Sequence, residues 1–271
     1  MNRVKLGNID IGRKGSMVLI AGPCVIESEK DSLYHARRIM KIARRLKIPL
    51  IFKSSYDKAN RSSITSFRGP GIVKGLKILK RIKSETGLPV LSDVHSKDEV
   101  KIAAEVLDVI QIPAFLSRQT DILLEAGKSG RVVNVKKGQF LSPREVKNII
   151  DKVYSTGNRR LLITERGTSF GYNNLVSDFR SIIIIKGFGV PVIYDASHSI
   201  QMPGGLGTSS GGDRRYIRPL ILAATAAGAD GIFTEVHKDP DSAPCDGPNM
   251  LPLRDLEEIL SRMKRIKEIV K

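Results

Sequence analysis

Short runs of apolar, β-branched residues alternate along the chain with stretches in which apolar residues recur every three to four positions. The first pattern predicts buried strands of a parallel sheet, and the second predicts amphipathic helices. The strand candidates begin at Met17, Pro49, Pro89, Val109, Val132, Leu161, Pro191 and Gly231. The helix candidates include residues 29–47, 71–86, 96–106, 142–154, 212–227 and 255–270. This alternation predicts an α/β fold, a (β/α)8 TIM barrel.

The first residues of the chain predict an addition to this barrel. Gly7 and Asn8 stand between short apolar segments of residues 4–12, which indicates a β-hairpin. We expect this hairpin, within an N-terminal extension of residues 1–14, to plug the bottom of the barrel. No linker or repeat interrupts residues 1–271, a length that suits one barrel domain. The Gly-rich residues 203–212 predict a long loop that serves as a lid.

The formal net charge of +17 makes nucleic acid the first partner to consider. Much of the excess lies at helical spacing, in residues 37–47 and 74–83, where solvated helix faces explain it. The sequence has no Trp and none of the helix-turn-helix, RRM or zinc-finger patterns. We therefore expect no nucleic-acid partner and attribute the remaining cations to the attraction of small anionic substrates.

The start of the chain and its cysteines predict a cytoplasmic protein. Residues 1–13 are polar, and the apolar run of residues 17–21 is too short for a membrane span, so we expect neither a signal peptide nor membrane attachment. Cys24 and Cys245 are too far apart in sequence to suggest a disulfide scaffold. A reducing compartment keeps both as thiols that are free to bind a metal.

Charged and polar residues follow nearly every predicted strand, at the end of a TIM barrel where active sites lie. The cations among them are Lys53, Lys58, Arg61, Arg118, Lys136, Lys137 and Arg166. The others are Cys24, Asn60, Asp93, His95, Gln111, Glu165, Asp195, His198, Glu235, His237 and Asp246. Like charges that converge on one mouth repel unless an anion neutralises them, and the number of cations suits two anionic substrates. Arg and Lys side chains bind phosphate and carboxylate groups.

Four of these residues predict a metal site, because they combine a thiolate, an imidazole and two carboxylates. They are Cys24, His198, Glu235 and Asp246. Such a set suits Fe²⁺, Zn²⁺, Mn²⁺ or Co²⁺. Cys245 and His237 are competing ligands, whereas His35 on the first predicted helix is expected to be structural. The Gly-rich segment lacks the spacing of a Walker loop or a dinucleotide fingerprint, so we expect no nucleotide cofactor.

Longer motifs appear in a fixed order along the chain: GPCVIES, FKSSYDKANRSS, SFRGPG, IQIPAFLSRQTD, NVKKGQF, TERGTSFGYNNLVSDFR, YDASHSIQMPGG and CDGPNMLPL. With these motifs the chain resembles the 3-deoxy-D-manno-octulosonate-8-phosphate synthase family, from about Met17 to the last helix. The resemblance implies a transferase of lipopolysaccharide biosynthesis. Its product, 3-deoxy-D-manno-octulosonate 8-phosphate, is the precursor of the sugar Kdo (3-deoxy-D-manno-octulosonate). Such an enzyme condenses phosphoenolpyruvate with arabinose 5-phosphate and water and releases inorganic phosphate.

The resemblance also implies roles for the substrate-binding residues. Lys53, Lys58, Lys136 and Arg166 would hold the phosphate and carboxylate of phosphoenolpyruvate, in a pocket that Gln111 and Ala114 line. Asn60, Arg61 and Ser62 would face arabinose 5-phosphate, with Asp93 as a further substrate-binding residue. Phe115 and Arg118 look like the residues that the family delivers to this sugar from a neighbouring subunit, which implies a homotetramer.

The family has a metal-dependent branch with Cys at the position of Cys24 and a metal-independent branch with Asn there. Cys24 therefore implies the metal-dependent branch, with His198, Glu235 and Asp246 as its other ligands. Cys24, His198, Asp246 and Lys58 are the catalytic candidates, and the base is left open between Lys58 and Asp246. The alternative is the related 3-deoxy-D-arabino-heptulosonate-7-phosphate synthase, which uses erythrose 4-phosphate. Residues 58–63, KANRSS, argue against it, because that family typically carries a Lys-Pro-Arg-Thr type segment there.

Overall fold

The computed structural model describes residues 3–61, 63–204 and 211–270 of the chain. Within these residues a closed parallel barrel is formed by β1 (Val18–Gly22), β2 (Leu50–Lys53), β3 (Val90–Asp93), β4 (Val109–Ile112), β5 (Val132–Lys136), β6 (Leu161–Glu165), β7 (Val192–Asp195) and β8 (Gly231–His237). Neighbours in the chain are neighbours in the barrel, and β8 closes it by pairing with both β7 and β1. The predicted (β/α)8 barrel is confirmed.

A helix follows each strand in the described part of the chain. The helices are α1 (Glu29–Leu46), α2 (Ile72–Thr86), α3 (Lys97–Ala103), α4 (Thr120–Lys128), α5 (Val146–Tyr154), α6 (Arg180–Lys186), α7 (Ile217–Ala226) and α8 (Leu256–Ile269). The sequence pattern did not single out α4 or α6. The run of isoleucines in α6 lacks helical periodicity, and α4 is only nine residues long and contains Gly127. Among the described helices, none has both the length and the apolar character of a membrane span.

The strands are buried on both faces. Their outer residues, such as Leu19 and Phe52, join helix residues in the larger core cluster. Their inner residues, such as Val18 and Val109, fill the amino-terminal half of the barrel. The hairpin pairs Val4–Leu6 with Ile9–Ile11 and adds apolar side chains to that inner cluster. It therefore closes the amino-terminal end of the barrel as predicted. The polar and charged side chains that follow the strands lie at the opposite, carboxyl end.

Short elements extend the loops at this carboxyl end. Thr168–Ser169 pairs with Leu175–Val176 after β6, Gln201–Met202 pairs with Gly211–Gly212 after β7, and Leu251–Pro252 lies beside β8. A 3₁₀ turn at Arg214–Tyr216 precedes α7, so this helix begins later than predicted. Residues 205–210 of the predicted lid lie outside the described residues.

Gly22 ends β1 beside the last residue of β2. A Cβ atom at Gly22 would lie 1.9 Å from the carbonyl oxygen of Lys53. We expect Gly22→Ala to push the two strands apart and to lower the free energy of unfolding by about 2 kcal/mol or more, as overpacking does. Urea titration of both proteins measures this change. An unchanged unfolding midpoint would show that β1 and β2 are less rigidly paired than their register indicates.

Candidate active site

A cavity of about 400 Å³ opens at the carboxyl ends of the strands. Ten of the predicted substrate-binding residues line it: Lys53, Lys58, Asn60, Arg61, Asp93, Gln111, Ala114, Phe115, Lys136 and Arg166. The predicted metal ligands His198 and Asp246 line it as well. A cavity of this volume is large enough for a small ligand and is the usual place for a TIM-barrel active site.

Several predicted residues lie elsewhere. Ser62 is outside the described residues, and Arg118 is exposed outside the cavity of its own chain. Phe115, predicted to act on a neighbouring subunit, also lines the cavity of its own chain. Lys137 and Glu165 do not converge on the cavity as expected, because side chains alternate along a strand; their charged groups lie 3.6 Å apart behind it.

Glu235 lies fully buried behind three residues that line the cavity: Lys53, Lys58 and His198. Its Oε1 accepts a hydrogen bond from Lys53 Nζ at 2.6 Å and lies 3.6 Å from Lys58 Nζ and 3.7 Å from His198 Nε2. Its Oε2 is buried and has no hydrogen-bond partner among the described residues. Burial raises the pKa of Glu235, but the two ammonium groups outweigh it and hold this pKa well below its ordinary value. Glu235 is therefore a carboxylate with one oxygen unused.

Two thiols lie beside this carboxylate. Cys24 Sγ is 2.9 Å from Cys245 Sγ and donates a hydrogen bond of 3.1 Å to Asp246 Oδ2. Asp246 has a left-handed backbone with φ of 51°, a conformation that Asp tolerates better than most residues. Burial, and after it the neighbouring Cys245 and Glu235, raise the pKa of Cys24 well above its ordinary value. Cys24 therefore becomes a thiolate when a compensating cation is close.

Possible metal ligands form two overlapping groups at this point. The ligand atoms of Cys24, Cys245 and Asp246 lie within 4.8 Å of one another, as do those of His198, Glu235 and Asp246. Sulfur, imidazole and carboxylate donors together suit a divalent transition ion. The unused oxygen of Glu235 and the buried thiol of Cys24 fit such an ion. Of the competing ligands, Cys245 lies in the first group and His237 in neither.

Two arginines, the half-buried Arg61 and the buried Arg166, have buried hydrogen-bond donors that are unused. Arg61 Nη1 lies 3.5 Å from Asp246 Oδ1, while its Nε and Nη2 have no partner in the described chain. Arg166 Nη2 donates to Gln201 Oε1 at 2.8 Å, and its Nη1 has no described partner either. Leaving buried N–H groups unpaired is costly, and the oxygens of a phosphate or carboxylate supply the missing acceptors.

Lys136 contributes a cation from β5. Its Nζ contacts Asp195 and lies 3.2 Å from the centroid of the Phe233 ring. Burial lowers the pKa of Lys136 to about 8, against the opposing charge of Asp195. Asp195 also lies 2.8 Å from His198 Nδ1, which turns the other ring nitrogen of His198 towards Glu235. Asp195 therefore positions both a cation and a possible metal ligand.

A chain of hydrogen bonds crosses the inside of the barrel below these groups. Thr164 Oγ1 donates to Asn134 Oδ1 at 2.7 Å, and Asn134 Nδ2 donates to Gln111 Oε1 at 2.8 Å. Gln111 Nε2 then donates to Asp93 Oδ1 at 2.6 Å. Asn134, Thr164 and the Arg166 partner Gln201 were missed in the sequence analysis. The signal for Asn134 and Thr164 was a polar residue within an otherwise apolar strand.

Asp93 is the acceptor at the end of this chain. Its other oxygen accepts a hydrogen bond from Ser55 Oγ at 2.6 Å. Burial raises the pKa of Asp93, but Lys53 and Lys58 hold it far below its ordinary value. Gln111 and Asp93 are thus fixed in orientation before any ligand enters, which is the preorganisation that a binding site requires.

Comparison with known proteins identifies the family of this chain. The family model described as the DAHP synthetase I family matches residues 2–271. The chain is 58% identical over 268 residues to the 2-dehydro-3-deoxyphosphooctonate aldolase of Geobacter metallireducens, covering 99% of this chain and 98% of that protein. It is 58% identical over 271 residues to the protein of the same name from Geotalea daltonii, covering 100% of both chains.

The corresponding protein of Geobacter sulfurreducens is 56% identical over 268 residues, covering 99% of this chain and 98% of that protein. All three relatives carry the alternative name of the 3-deoxy-D-manno-octulosonate-8-phosphate synthases, so the resemblance inferred from the motifs is confirmed. The chain belongs to the DAHP synthetase I family.

Proposed function

We propose that this chain condenses phosphoenolpyruvate with D-arabinose 5-phosphate and water to give 3-deoxy-D-manno-octulosonate 8-phosphate and inorganic phosphate. One observation supports this proposal above all. Arg61 and Arg166, whose buried N–H groups have unused donors, line the same cavity as Lys136, and Arg61 contacts Asp246 of the thiol and carboxylate cluster. The number of cationic groups in this cavity suits two phosphorylated reactants better than one. The names of the relatives favour the same reaction.

Phosphoenolpyruvate would bind on the side of β5 and β6. Lys136 and Arg166 supply charge for its phosphate and carboxylate, and Lys53 and Lys58 complete the set, with Gln111 and Ala114 lining the pocket. The unpaired Nη1 of Arg166 supports this role, because a planar guanidinium binds an oxyanion in bidentate fashion. The enol carbon would then lie towards the centre of the cavity.

Arabinose 5-phosphate would bind beside the loop after β2, where Asn60, Arg61 and Ser62 follow one another. Phe115 and Arg118 of a neighbouring subunit would complete its phosphate site in a homotetramer. The exposed position of Arg118, outside its own cavity, supports this arrangement. The large exposed side chains of Phe140, Phe170 and Tyr172, which follow strands β5 and β6, also favour association between copies.

We further infer that Cys24, His198, Glu235 and Asp246 hold a divalent ion, one of Fe²⁺, Zn²⁺, Mn²⁺ or Co²⁺. When bound, such an ion supplies positive charge that polarises the aldehyde of the sugar or acidifies a water molecule. No nucleotide cofactor is needed for this chemistry. Because Cys24 must ionise and stay clear of a disulfide with the adjacent Cys245, we also infer a reducing, cytoplasmic location.

The bonds change as follows. C3 of phosphoenolpyruvate forms a bond to the aldehyde carbon of the sugar while water adds at C2, and the C2–O bond to phosphate then breaks. The cavity would hold both reactants with these carbons adjacent. The bimolecular reaction would then become effectively unimolecular, because the reactants have already lost their translational and rotational freedom on binding. Nearby Lys and Arg groups would stabilise the negative charge that appears on the sugar oxygen and on the departing phosphate.

The charges of the two proton-transfer candidates suit different tasks. Burial lowers the pKa of Lys58, but Cys24 and Glu235 outweigh it and raise this pKa well above its ordinary value. Burial raises the pKa of Asp246, but the opposing charge of Lys58 brings it below its ordinary value. At neutral pH Lys58 thus carries a proton and Asp246 does not, and from this charge state we propose that Lys58 donates a proton to the sugar oxygen and that Asp246 accepts one from the attacking water.

The lowered pKa of Lys136 predicts a pH dependence. Its ammonium is required to bind an anion, and it is lost as the pH rises through about 8. We expect kcat/KM for phosphoenolpyruvate to fall about tenfold per pH unit above this value, as expected for loss of one proton. Lys136→Arg keeps its charge and is the control: its activity is reduced, but the alkaline decline disappears. An equally steep decline in this variant would assign the titration to another group.

Phosphate release measured with each aldose, with and without a chelator, tests the whole proposal. We expect turnover with arabinose 5-phosphate, little turnover with erythrose 4-phosphate, and loss of turnover in the chelator that returns when a divalent ion is added. Preference for erythrose 4-phosphate would instead favour a 3-deoxy-D-arabino-heptulosonate-7-phosphate synthase. Full turnover after removal of all metal would leave the condensation standing and overturn the metal site.

A further inference from the structure

A buried lysine, Lys137, lies directly behind the cavity at the end of strand β5. Its side chain is fully buried, and the proposed condensation gives it no role. Its Nζ lies within hydrogen-bond distance of four oxygens: Leu141 O at 3.2 Å, Gly138 O at 3.3 Å, Thr168 Oγ1 at 3.3 Å and Gly167 O at 3.4 Å. Because carbonyl oxygens only accept hydrogen bonds, these contacts favour the ammonium form of Lys137.

This ammonium group joins two loops at the carboxyl end of the barrel. Two of its oxygen partners belong to the loop that follows β5, and the other two belong to the loop that follows β6. The same loops are joined by a backbone hydrogen bond of 2.9 Å, which the N–H of Ser169 donates to the carbonyl oxygen of Gln139. The start of each loop is therefore fixed relative to the other.

Glu165, the last residue of β6, supplies the opposite charge. Its Oε2 lies 3.6 Å from Lys137 Nζ, and its Oε1 accepts a hydrogen bond of 2.8 Å from the backbone N–H of Gly167. Burial lowers the pKa of Lys137, and the charge of Glu165 opposes this decrease. Since Glu165 is only 1% exposed, removing its partner would leave a buried charge uncompensated.

Arg166 lies between the two residues that this arrangement fixes. Glu165 precedes it and is held through its side chain, while Gly167 follows it and is held through both its N–H and its carbonyl oxygen. The chain on both sides of Arg166 is thus anchored behind the cavity. The guanidinium itself lines the cavity, and its Nη1 has no partner among the described residues.

We propose that Lys137 is a positioning residue that acts through Arg166 on the binding of phosphoenolpyruvate. The inference rests on the proposed function, in which Arg166 binds this substrate. A guanidinium that is oriented before the anion arrives binds it more tightly, because less conformational freedom is lost on binding. Lys137 is buried behind the described cavity, so its effect on the ligand comes from the orientation of Arg166 and not from a contact of its own.

Calorimetric titration of the full-length protein with phosphoenolpyruvate alone tests this role. We expect Lys137→Met to raise the Kd about tenfold or more, the scale of one hydrogen bond to a charged group. Arg166→Met should raise the Kd as well. Adding Lys137→Met to Arg166→Met should cause little further loss, because the effects of residues that act through one contact are not additive.

Lys186→Met is the matched control for the loss of a lysine from an ion pair. Lys186 lies 2.9 Å from the buried Asp230, which directly precedes β8 and therefore lies at the amino-terminal end of the barrel. We expect this variant to keep wild-type affinity for phosphoenolpyruvate. A loss as large as that of Lys137→Met would assign the effect to general destabilisation and overturn the proposal.

A double variant separates orientation from charge balance. Lys137→Met with Glu165→Gln removes the uncompensated charge and keeps an oxygen for the N–H of Gly167. We expect it to unfold at a higher urea concentration than Lys137→Met and still to bind phosphoenolpyruvate about tenfold more weakly than wild type. Recovery of wild-type affinity would overturn the proposal, since Lys137 would then only neutralise Glu165.

The remaining outcomes are equally distinct. Wild-type affinity in Lys137→Met, or an undiminished further loss when it is added to Arg166→Met, would overturn the positioning role. Wild-type affinity in Arg166→Met would contradict the assignment of Arg166 in the proposed function, and the inference with it. Because the titration contains no sugar, a lack of turnover with arabinose 5-phosphate would count against the condensation alone.

Discussion

Replacing Cys24 with alanine is expected to lower the rate of phosphate release at least about a hundredfold. A metal that polarises a reacting group stabilises the transition state by several kcal/mol, and a variant that loses the metal loses this stabilisation. The buried thiol lies 3.1 Å from Asp246 and belongs to one of the two ligand groups that share this residue. Removing it leaves three ligands, so the ion is held more weakly. Activity and bound metal, measured on the same samples after dialysis, should fall together.

Cys245→Ala is the matched control, because its thiol is also buried and lies 2.9 Å from that of Cys24. We expect this variant to keep bound metal and most of its activity. If Cys245→Ala loses the ion and Cys24→Ala keeps it, the ligand has been assigned to the wrong thiol. Wild-type activity in Cys24→Ala after exhaustive chelation would contradict the metal site as a whole.

Replacing Arg61 with methionine is expected to lower kcat/KM for arabinose 5-phosphate roughly a hundredfold or more, while KM for phosphoenolpyruvate changes little. Two of its guanidinium nitrogens, Nε and Nη2, are buried without a described partner, so both are free to donate to a phosphate. Loss of one buried charge-assisted contact costs about 3 kcal/mol, which corresponds to this factor. Steady-state kinetics with each substrate varied in turn measures the effect.

Arg68→Met provides the comparison for this variant. Arg68 lies in the same loop but is exposed and pairs with Asp57. Since exposed ion pairs contribute little, we expect kinetics close to wild type. Equal losses for both substrates in Arg61→Met would mean that Arg61 organises the whole cavity. Unchanged kinetics would contradict its assignment to the sugar phosphate.

The strands of the barrel were predictable because each carries a compact run of apolar residues. Runs such as VLIAG and VVNVK lack the periodicity of an amphipathic helix, so a buried strand is the assignment that fits them. All of the predicted strands are found at their predicted places. Helix ends were less predictable. The segment before α7 has helical composition, yet a 3₁₀ turn with Asp213 at its start delays the helix to Ile217. Local hydrogen bonds of this kind are decided by the folded loop and not by periodicity.

The candidate site was predictable at the level of strand ends but not of side-chain direction. Lys136 and Lys137 are adjacent, and one enters the cavity while the other donates to backbone oxygens behind it. Both residues are lysine, so the residue type does not predict which side chain points into the cavity. Only the register of β5 in the barrel decides this. His237 was misjudged for the same reason, because position alone did not reveal that its ring packs against α1.

The supporting hydrogen bonds were beyond the reach of the sequence. Gln201 pairs with Arg166 across two loops, and Asn134 links Gln111 to Thr164 across three strands. These contacts join residues that no motif brings together, and each depends on the closure of the barrel. Motifs therefore identified the groups that carry charge, whereas the groups that orient them became visible only in three dimensions.

Incubation of the metal-loaded protein with phosphoenolpyruvate labelled with ¹³C at C3 and with arabinose 5-phosphate tests the central claim most directly. Carbon NMR and mass spectrometry of the products follow the label. We predict that the labelled carbon appears as a methylene group within an eight-carbon sugar acid phosphate, formed in equal amount to the inorganic phosphate released. Release of phosphate with the label in pyruvate, and no new carbon–carbon bond, would contradict the claim that this cavity joins two phosphorylated substrates.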